Sequence, residues 1–461
     1  MSRRETGASR PGAGAVAAAR SALPQVTGMV TRKVVKGGVW AIRHSRLLPK
    51  MIPDGLGDER RLARLSSPAQ VMVFFADTVM GLYQLRPWYQ PLRELNLVHP
   101  VVVIGTDSRA VRAIRAESGL RAYTIEHYST VDTLIRRWPL RLALYVNHNA
   151  PNFSVLSFPQ LVHVSIMHGD SDKIITVSGQ TKAYDYTFVA GQAAIDRLAA
   201  FLPLFDAAAH CIPIGRPQVD LGAAAAAGEA VPDGARLTVL YAPTWEGGTE
   251  TAAYSSLEAY GPKLVAALLD DPRFRLVYRP HPLTGTRVGR FAEVSGWLRG
   301  LVEDAAAASP EAGHRVSLGG DAQEELAKAG LLLTDVGSLA IDFLATGRPL
   351  AVTFPPDPTA VVAPTKMLET VPRVGAAEVD AIGDFLAGLV DDQAGAATRR
   401  ALAEYYLGDT TPGAATKAFI AACGRMIELC DQNRAAVAAR LAATAGGPNP
   451  VGPPGPKEVA T

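Results

Sequence analysis

The order of the apolar runs constrains this chain more than any other feature. From about residue 68, short runs of buried-strand character alternate with helix-like stretches, and after an interruption the series starts again. In the first series Val71–Phe75, Pro100–Gly105, Arg121–Ile125, Leu142–Val146, Leu161–Ile166, Tyr186–Val189 and His210–Ile214 read as strands. Helices are predicted between them at 89–95, 108–117 (with Ser108 as N-cap) and 130–137. The second series has strands at Leu237–Ala242, Phe274–Tyr278, Val316–Leu318, Leu331–Thr334 and Pro349–Thr353, and helices at 256–269, 322–328 and 338–346. Parallel strands need long crossover connections, usually helical, so each series predicts an α/β domain on a parallel sheet. The expected organisation is a basic arm at 1–60 and a Rossmann-like domain at 61–222, followed by an Ala/Gly-rich linker at 223–234. A second Rossmann-like domain at 235–375, C-terminal helices at 376–444 and a Pro/Gly-rich tail at 445–461, of a composition that predicts disorder, complete it. Open α/β sheets bind ligands outside the carboxyl ends of their strands, so function is expected in the cleft between the domains.

Composition narrows the partners. Lys and Arg number 46 against 44 Asp and Glu, a formal charge of +2, so there is no global field for a polyanion and no nucleic acid is expected as partner. The three cysteines, Cys211, Cys423 and Cys430, have no metal-type spacing and are too few for a disulfide framework, which suits a reducing compartment. No apolar run reaches the roughly 20 residues of a membrane span, and the start lacks a signal-peptide pattern, so a cytoplasmic location is expected. The charge is uneven, however. Residues 1–50 carry ten bases against one acid, Glu5, and Met29, Val30, Val34, Val35, Val39 and Trp40 interleave with them. That composition suits a helix lying peripherally on an anionic membrane surface. Gly37-Gly38 weakens the helix, and a basic, partly ordered lead-in is the competing reading.

Four clusters fall just after predicted strands. Met167-His168-Gly169-Asp170-Ser171-Asp172-Lys173 places a His at a strand end, where it serves either as a general base or as a turn residue bonded to backbone. Tyr241-Ala-Pro-Thr-Trp-Glu246 offers the Thr244 hydroxyl to a phosphate or acceptor, with Trp245 as packing. In Arg279-Pro-His-Pro282 the two prolines restrict the backbone around His281, and Arg279 is a fixed charge suited to a diphosphate. In Thr334-Asp-Val-Gly-Ser338-Leu-Ala-Ile-Asp342 a strand gives way to a helix that Ser338 can cap, and the free amides there suit an anion. Asp342 lies one turn on; an ordinary capped helix is the plainer reading.

In this order the clusters resemble the CDP-glycerol glycerophosphotransferase family, the bacterial teichoic-acid primases and polymerases. Tyr-Ala-Pro-Thr-Trp at 241–245 and Arg-Pro-His-Pro at 279–282 are identical to the family's segments. Met167–Lys173 answers a Trp-His-Gly-Thr-Pro-Leu-Lys-like segment, Gly215–Asp220 a Gly-x-Pro-Arg-x-Asp-like turn, and Thr334–Asp342 a Thr-Asp-Tyr-Ser-Ser-x-x-x-Asp segment. The resemblance covers about residues 160–355. Met167 stands in place of the usual Trp, Asp170-Ser171-Asp172 in place of the Thr-Pro-Leu-like stretch, and Val336-Gly337 in place of Tyr-Ser. The resemblance implies a GT-B fold, two Rossmann-like domains facing each other across a cleft, with the CDP-activated polyol donor mainly on the second. It implies attack by a hydroxyl of a lipid-linked or polymer acceptor and release of CMP. No cofactor beyond the CDP-activated donor, and no metal, is expected. The expected roles are His168 as base and His281 with Arg279 on the diphosphate. Lys173, Thr244, Asp335 and Ser338 are expected substrate contacts, and Asp342 is expected either on a donor hydroxyl or bracing its helix. A UDP-sugar glycosyltransferase or epimerase shares this fold, and a membrane-associated scaffold without turnover is a third reading.

Overall fold

The computed structural model describes residues 53–172, 177–220, 236–248, 253–319, 322–362 and 364–445. The basic stretch 1–50, the linker 223–234, Lys173 and nearly all of the tail lie outside these residues.

Two parallel sheets organise the described chain. The first has seven strands: β1 (Val71–Phe75), β2 (Val101–Gly105), β3 (Arg121–Thr124), β4 (Leu142–Tyr145), β5 (Val162–Ser165), β6 (Tyr186–Val189) and β7 (Cys211–Pro213). Their spatial order is β3-β2-β1-β4-β5-β6-β7. The second has six: β8 (Leu237–Ala242), β9 (Phe274–Tyr278), β10 (Arg315–Val316), β11 (Leu331–Asp335), β12 (Leu350–Thr353) and β13 (Arg373–Val374), in the order β10-β9-β8-β11-β12-β13. Every pairing is parallel, from Val71 beside Val101 to Thr353 beside Val374. Strands such as Val71-Met-Val-Phe-Phe75 are buried at every position because helices cover both faces, which explains continuous apolar runs where a half-exposed strand would alternate. This is the GT-B arrangement. Each sheet reverses its strand order once, between β1 and β4 and between β8 and β11, and the loops after those strands face the ligand crevice of such sheets.

The helices differ from the sequence expectation in several places, three of which bear on packing and capping. Asp107, not Ser108, caps the helix Ser108–Ser118: its carboxylate accepts from the Ala110 amide at 2.8 Å, and Ser108 is already helical. The helix expected from Ser256 starts at Gly261, where Pro262 in the first turn removes an amide that would have had no helical partner. The helix Gly289–Ala308 was not anticipated; Gly296 and Gly300 interrupt its apolar pattern, yet Val294, Leu298 and Val302 seal against β9.

The C-terminal helices are shared between the halves. Ile382 and Leu386 pack on the second sheet. The last helix, Ala414–Ala445, returns to the first, where Phe419, Ala422, Cys423, Met426, Ile427 and Cys430 join the core of β1, β2, β4 and β5. Burying each larger apolar side chain there contributes about 1.5–3 kcal/mol. Asp220 sets the start of this helix by accepting from the amides of Gly413 at 2.8 Å and Thr416 at 2.7 Å.

Candidate active site

His168 follows β5 by a strained turn. Met167 has φ 47°, unusual for a non-glycine residue, and the Trp88 indole holds it by donating to its carbonyl at 2.6 Å. The next residue, His168, places Nδ1 3.2 Å from the Val146 carbonyl just beyond β4. A carbonyl only accepts, so Nδ1 carries the proton and Nε2 keeps a bare lone pair. Burial pulls the His168 imidazole down to about 4; the Val146 carbonyl opposes this, the Arg216 guanidinium adds to it and Asp342 opposes it. The ring is therefore neutral at pH 7.

Asp170 and Asp172, close in sequence, do not govern that ring. Both turn to Arg197 on the helix Gln192–Phe201; Asp172 is 3.1 Å from it, and Asp170 is the closer partner. Asp172 also accepts from the Tyr406 hydroxyl at 2.7 Å. Asp170 and Asp172 thus pair with Arg197, and Asp172 with Tyr406 as well.

On the second sheet, His281 takes the opposite tautomer. The Leu283 amide donates to its Nδ1 at 3.1 Å, so Nδ1 is bare and Nε2 bears the hydrogen. Trp245 stacks on the ring, with centroids 6.3 Å apart and planes 22° apart. Glu246 ties the two loops together by accepting from the amides of Gly285, Arg287 and Val288; burial alone would raise its carboxyl, but these amides hold it below the usual range. Arg279 donates to the Ser317 hydroxyl at 2.8 Å.

Three of the residues expected at the substrate are placed differently from what their motifs suggest. Asp335 is completely buried and accepts from the Thr244 amide at 2.7 Å, the Ser256 amide at 3.2 Å and the Thr353 hydroxyl, so it anchors the Thr244 loop. Asp342 is a brace: Arg216 donates to both its oxygens, at 2.8 and 2.9 Å, and Gln323 to one of them at 3.2 Å. Ser338 is not an N-cap. Gly337 occupies that position, and Ser338 is the first residue of an α-helix that runs only to Phe343. Six residues carry only a small aligned dipole, which weakens the anion reading of that helix end.

The halves meet at this point. A Cβ on Gly169 would lie 3.0 Å from the Ser338 Cβ, so the His168 turn rests directly on the helix start. Tyr83, unremarked in the sequence, lies in the turn Val79–Gln84 after β1, its ring centroid 5.9 Å from that of His168 and 5.8 Å from that of His281. Its position after β1, at the reversal of strand order, was the available signal; no motif surrounds it. Trp88 and Arg216 were likewise given no role. Thr244 borders the same region through the loop after β8, whereas Lys173 lies outside the described residues. Among the described residues no group of three or more His, Cys, Asp or Glu is placed to hold a metal ion.

The family model for CDP-Glycerol:Poly(glycerophosphate) glycerophosphotransferase matches residues 162–358, the stretch that carries the sequence resemblance. The chain is a transferase. A comparison with curated proteins finds none that matches. Among solved structures, the wall teichoic acid polymerase TagF is similar at 12% identity and a TM-score of 0.49, over 90% of this chain and 98% of that one. The UDP-GlcNAc 2-epimerase of Neisseria meningitidis is similar at 12% identity and 0.49, over 77% of this chain and 100% of that one. A putative UDP-N-acetylglucosamine 2-epimerase of Listeria monocytogenes follows at 14% and 0.47, over 77% and 95%.

Proposed function

We propose, for a chain whose residues 162–358 match the glycerophosphotransferase family, that it transfers a polyol phosphate such as glycerol phosphate from a CDP-activated donor to a hydroxyl of a lipid-linked or polymer acceptor. The observation that carries the reading is the pair of opposite tautomers on His168 and His281 at the seam between the halves. His168 Nε2 takes the acceptor hydroxyl proton. The freed oxygen bonds to the β-phosphorus, the bond from that phosphorus to the bridging oxygen breaks, and CMP leaves with the electron pair. His281 Nε2–H and the Arg279 guanidinium donate to the diphosphate oxygens, where negative charge grows. Lys173, Thr244 and Ser338 are the further donor contacts of this scheme, and it runs through no cofactor.

His168 held at about 4 is a weak base in the free protein. The negative diphosphate, once bound, favours the imidazolium and raises that value, so proton transfer becomes favourable only with donor in place. The test is CMP release from CDP-glycerol by the purified protein with a glycerol-phosphate polymer as acceptor, beside UDP-GlcNAc with UMP and UDP as readouts. Turnover of the UDP-sugar alone would replace this reading with the glycosyltransferase or epimerase one. Donor binding without turnover would leave a scaffold.

No helix among the described residues is long and apolar enough to cross a membrane. The ten bases of residues 1–50 support peripheral attachment to the anionic cytoplasmic face of the cell membrane, where a lipid-linked acceptor would be met. Sedimentation with anionic liposomes should drop on deleting these residues; equal sedimentation at low salt removes this element.

A further inference from the structure

Tyr83 is placed to do more than fill space. Its ring meets His168 at an interplanar angle of 83° and His281 at 75°, both edge-to-face contacts. The two imidazoles belong to different sheets, and Tyr83 touches both. Its attachment is one-sided, however. The Gln84 amide donates to the Tyr83 hydroxyl at 3.1 Å, and the Asn147 amide donates to Gln84 Oε1. Asn147 adjoins Val146, whose carbonyl holds His168 Nδ1. A short path of hydrogen bonds and one peptide unit therefore joins Tyr83 to the group that orients His168. Leu82 and Leu85, fully buried beside it, fix the turn to the first core. Burial pushes the Tyr83 phenol above its usual value, so it stays neutral and acts by shape and hydrogen bonding.

In the second half, His281 takes the Leu283 amide from its own loop and the Trp245 stack from the loop after β8. Its contact with Tyr83 brings it to a ring that the first half holds in register with His168.

We infer that Tyr83 is a positioning residue that sets the spacing of His168 and His281 across the seam between the halves, and that it also shields His168 from water. This rests on the roles proposed above for the two histidines, but its consequence for His168 is measurable without turnover. His168 is faced by the Tyr83 ring, the Val146 carbonyl, His148, Arg216 and Asp342. Of these, Tyr83 supplies apolar cover. Removing its ring admits water, and the His168 value rises from about 4 toward the ordinary 6.5.

The experiment uses the full chain with Tyr83→Ala and Tyr83→Phe. The His168 ring is titrated by NMR in each, assigned with His168→Gln, and CMP release is measured beside it. Tyr83→Ala should raise the His168 value by at least one unit and lower kcat about 100-fold, the scale expected for a misplacement of about 1 Å. Tyr83→Phe, which keeps the ring and loses the Gln84 bond, should keep the His168 value and lose less than about tenfold in kcat. An unchanged His168 value in folded Tyr83→Ala overturns the inference, as does kcat within twofold of the parent. Should Tyr83→Ala fail to fold, Tyr83→Leu replaces it with the same expectations and the same overturning results. If the parent protein releases no CMP, the proposed function fails by itself while the titration still decides the shielding role.

Discussion

Arg216 and Asp342 form a two-pronged ion pair that joins the first half of the protein to the second, with both side chains under one-tenth exposed. Arg216 lies just after β7 and Asp342 on the helix after β11, so the pair fastens the seam beside His168. Each charge is tolerable there because the other neutralises it. Asp342→Ala leaves a buried guanidinium uncompensated and should cost about 3–5 kcal/mol in urea unfolding. Arg216→Met combined with Asp342→Leu should recover most of that loss. A double variant as unstable as the single one would mean that the pair contributes more than mutual neutralisation.

Gly169 lies close against Ser338. A Cβ there would sit 3.0 Å from the Ser338 Cβ, tighter than most such contacts, so Gly169→Ala makes the seam give by a few tenths of an ångström. Overpacking of this kind costs about 1–3 kcal/mol, and turnover should fall with it. Gly300, within the helix Gly289–Ala308, has nothing within 4 Å of its virtual Cβ. Gly300→Ala should instead stabilise by about 0.5–1 kcal/mol with turnover unchanged. Thermal melts and CMP release on the two variants check both expectations.

The opposite tautomers separate the histidines in a binding experiment. His168→Ala should depress CMP release about 100-fold or more yet leave CDP affinity within a few-fold, since a base contributes chiefly to the transition state. His281→Ala should weaken both, because it removes a donor to the diphosphate. Calorimetry with CDP on the folded variants reads the contrast; equal losses of CDP binding would contradict the division of labour.

The acid limb of activity should reflect the buried state of His168. Only the neutral ring accepts a proton, and burial holds it at about 4. The ratio kcat/KM, which reports the free enzyme, should therefore stay level as pH falls from 7 and decline only near pH 4. Bound donor adds negative charge and raises the His168 value, so the limb of kcat should lie at higher pH than that of kcat/KM. Activity must return on shifting back to pH 7, which separates titration from acid unfolding. Coincident limbs near 6.5 would place His168 in water.

The strands and the strand-end motifs were legible because their signals are local. A run such as Leu331-Leu-Leu-Thr needs only its own residues to announce a buried strand, and the ordered motifs from His168 to Ser338 drew attention to one end of both sheets. The roles within that end were not legible, because burial and partnership come from segments distant in the chain. Asp335 sat in a phosphate-like motif, yet Thr244, Ser256 and Thr353 enclose it from three other segments. Asp170 and Asp172 stand beside His168 in sequence, but Arg197, more than 20 positions on, draws them away. The helical character of residues 376–444 predicted C-terminal helices without saying that Asp220 would seat the last of them back on the first sheet. Tyr83 had only its place after β1 as a signal, since its meaning lies in two rings that the chain brings to it only when both sheets have formed and met. Periodicity and turn chemistry act over a few residues and so can be read along the chain. Charge neutralisation, desolvation and ring contacts act over a few ångströms, and which residues come that close was decided by the tertiary fold alone.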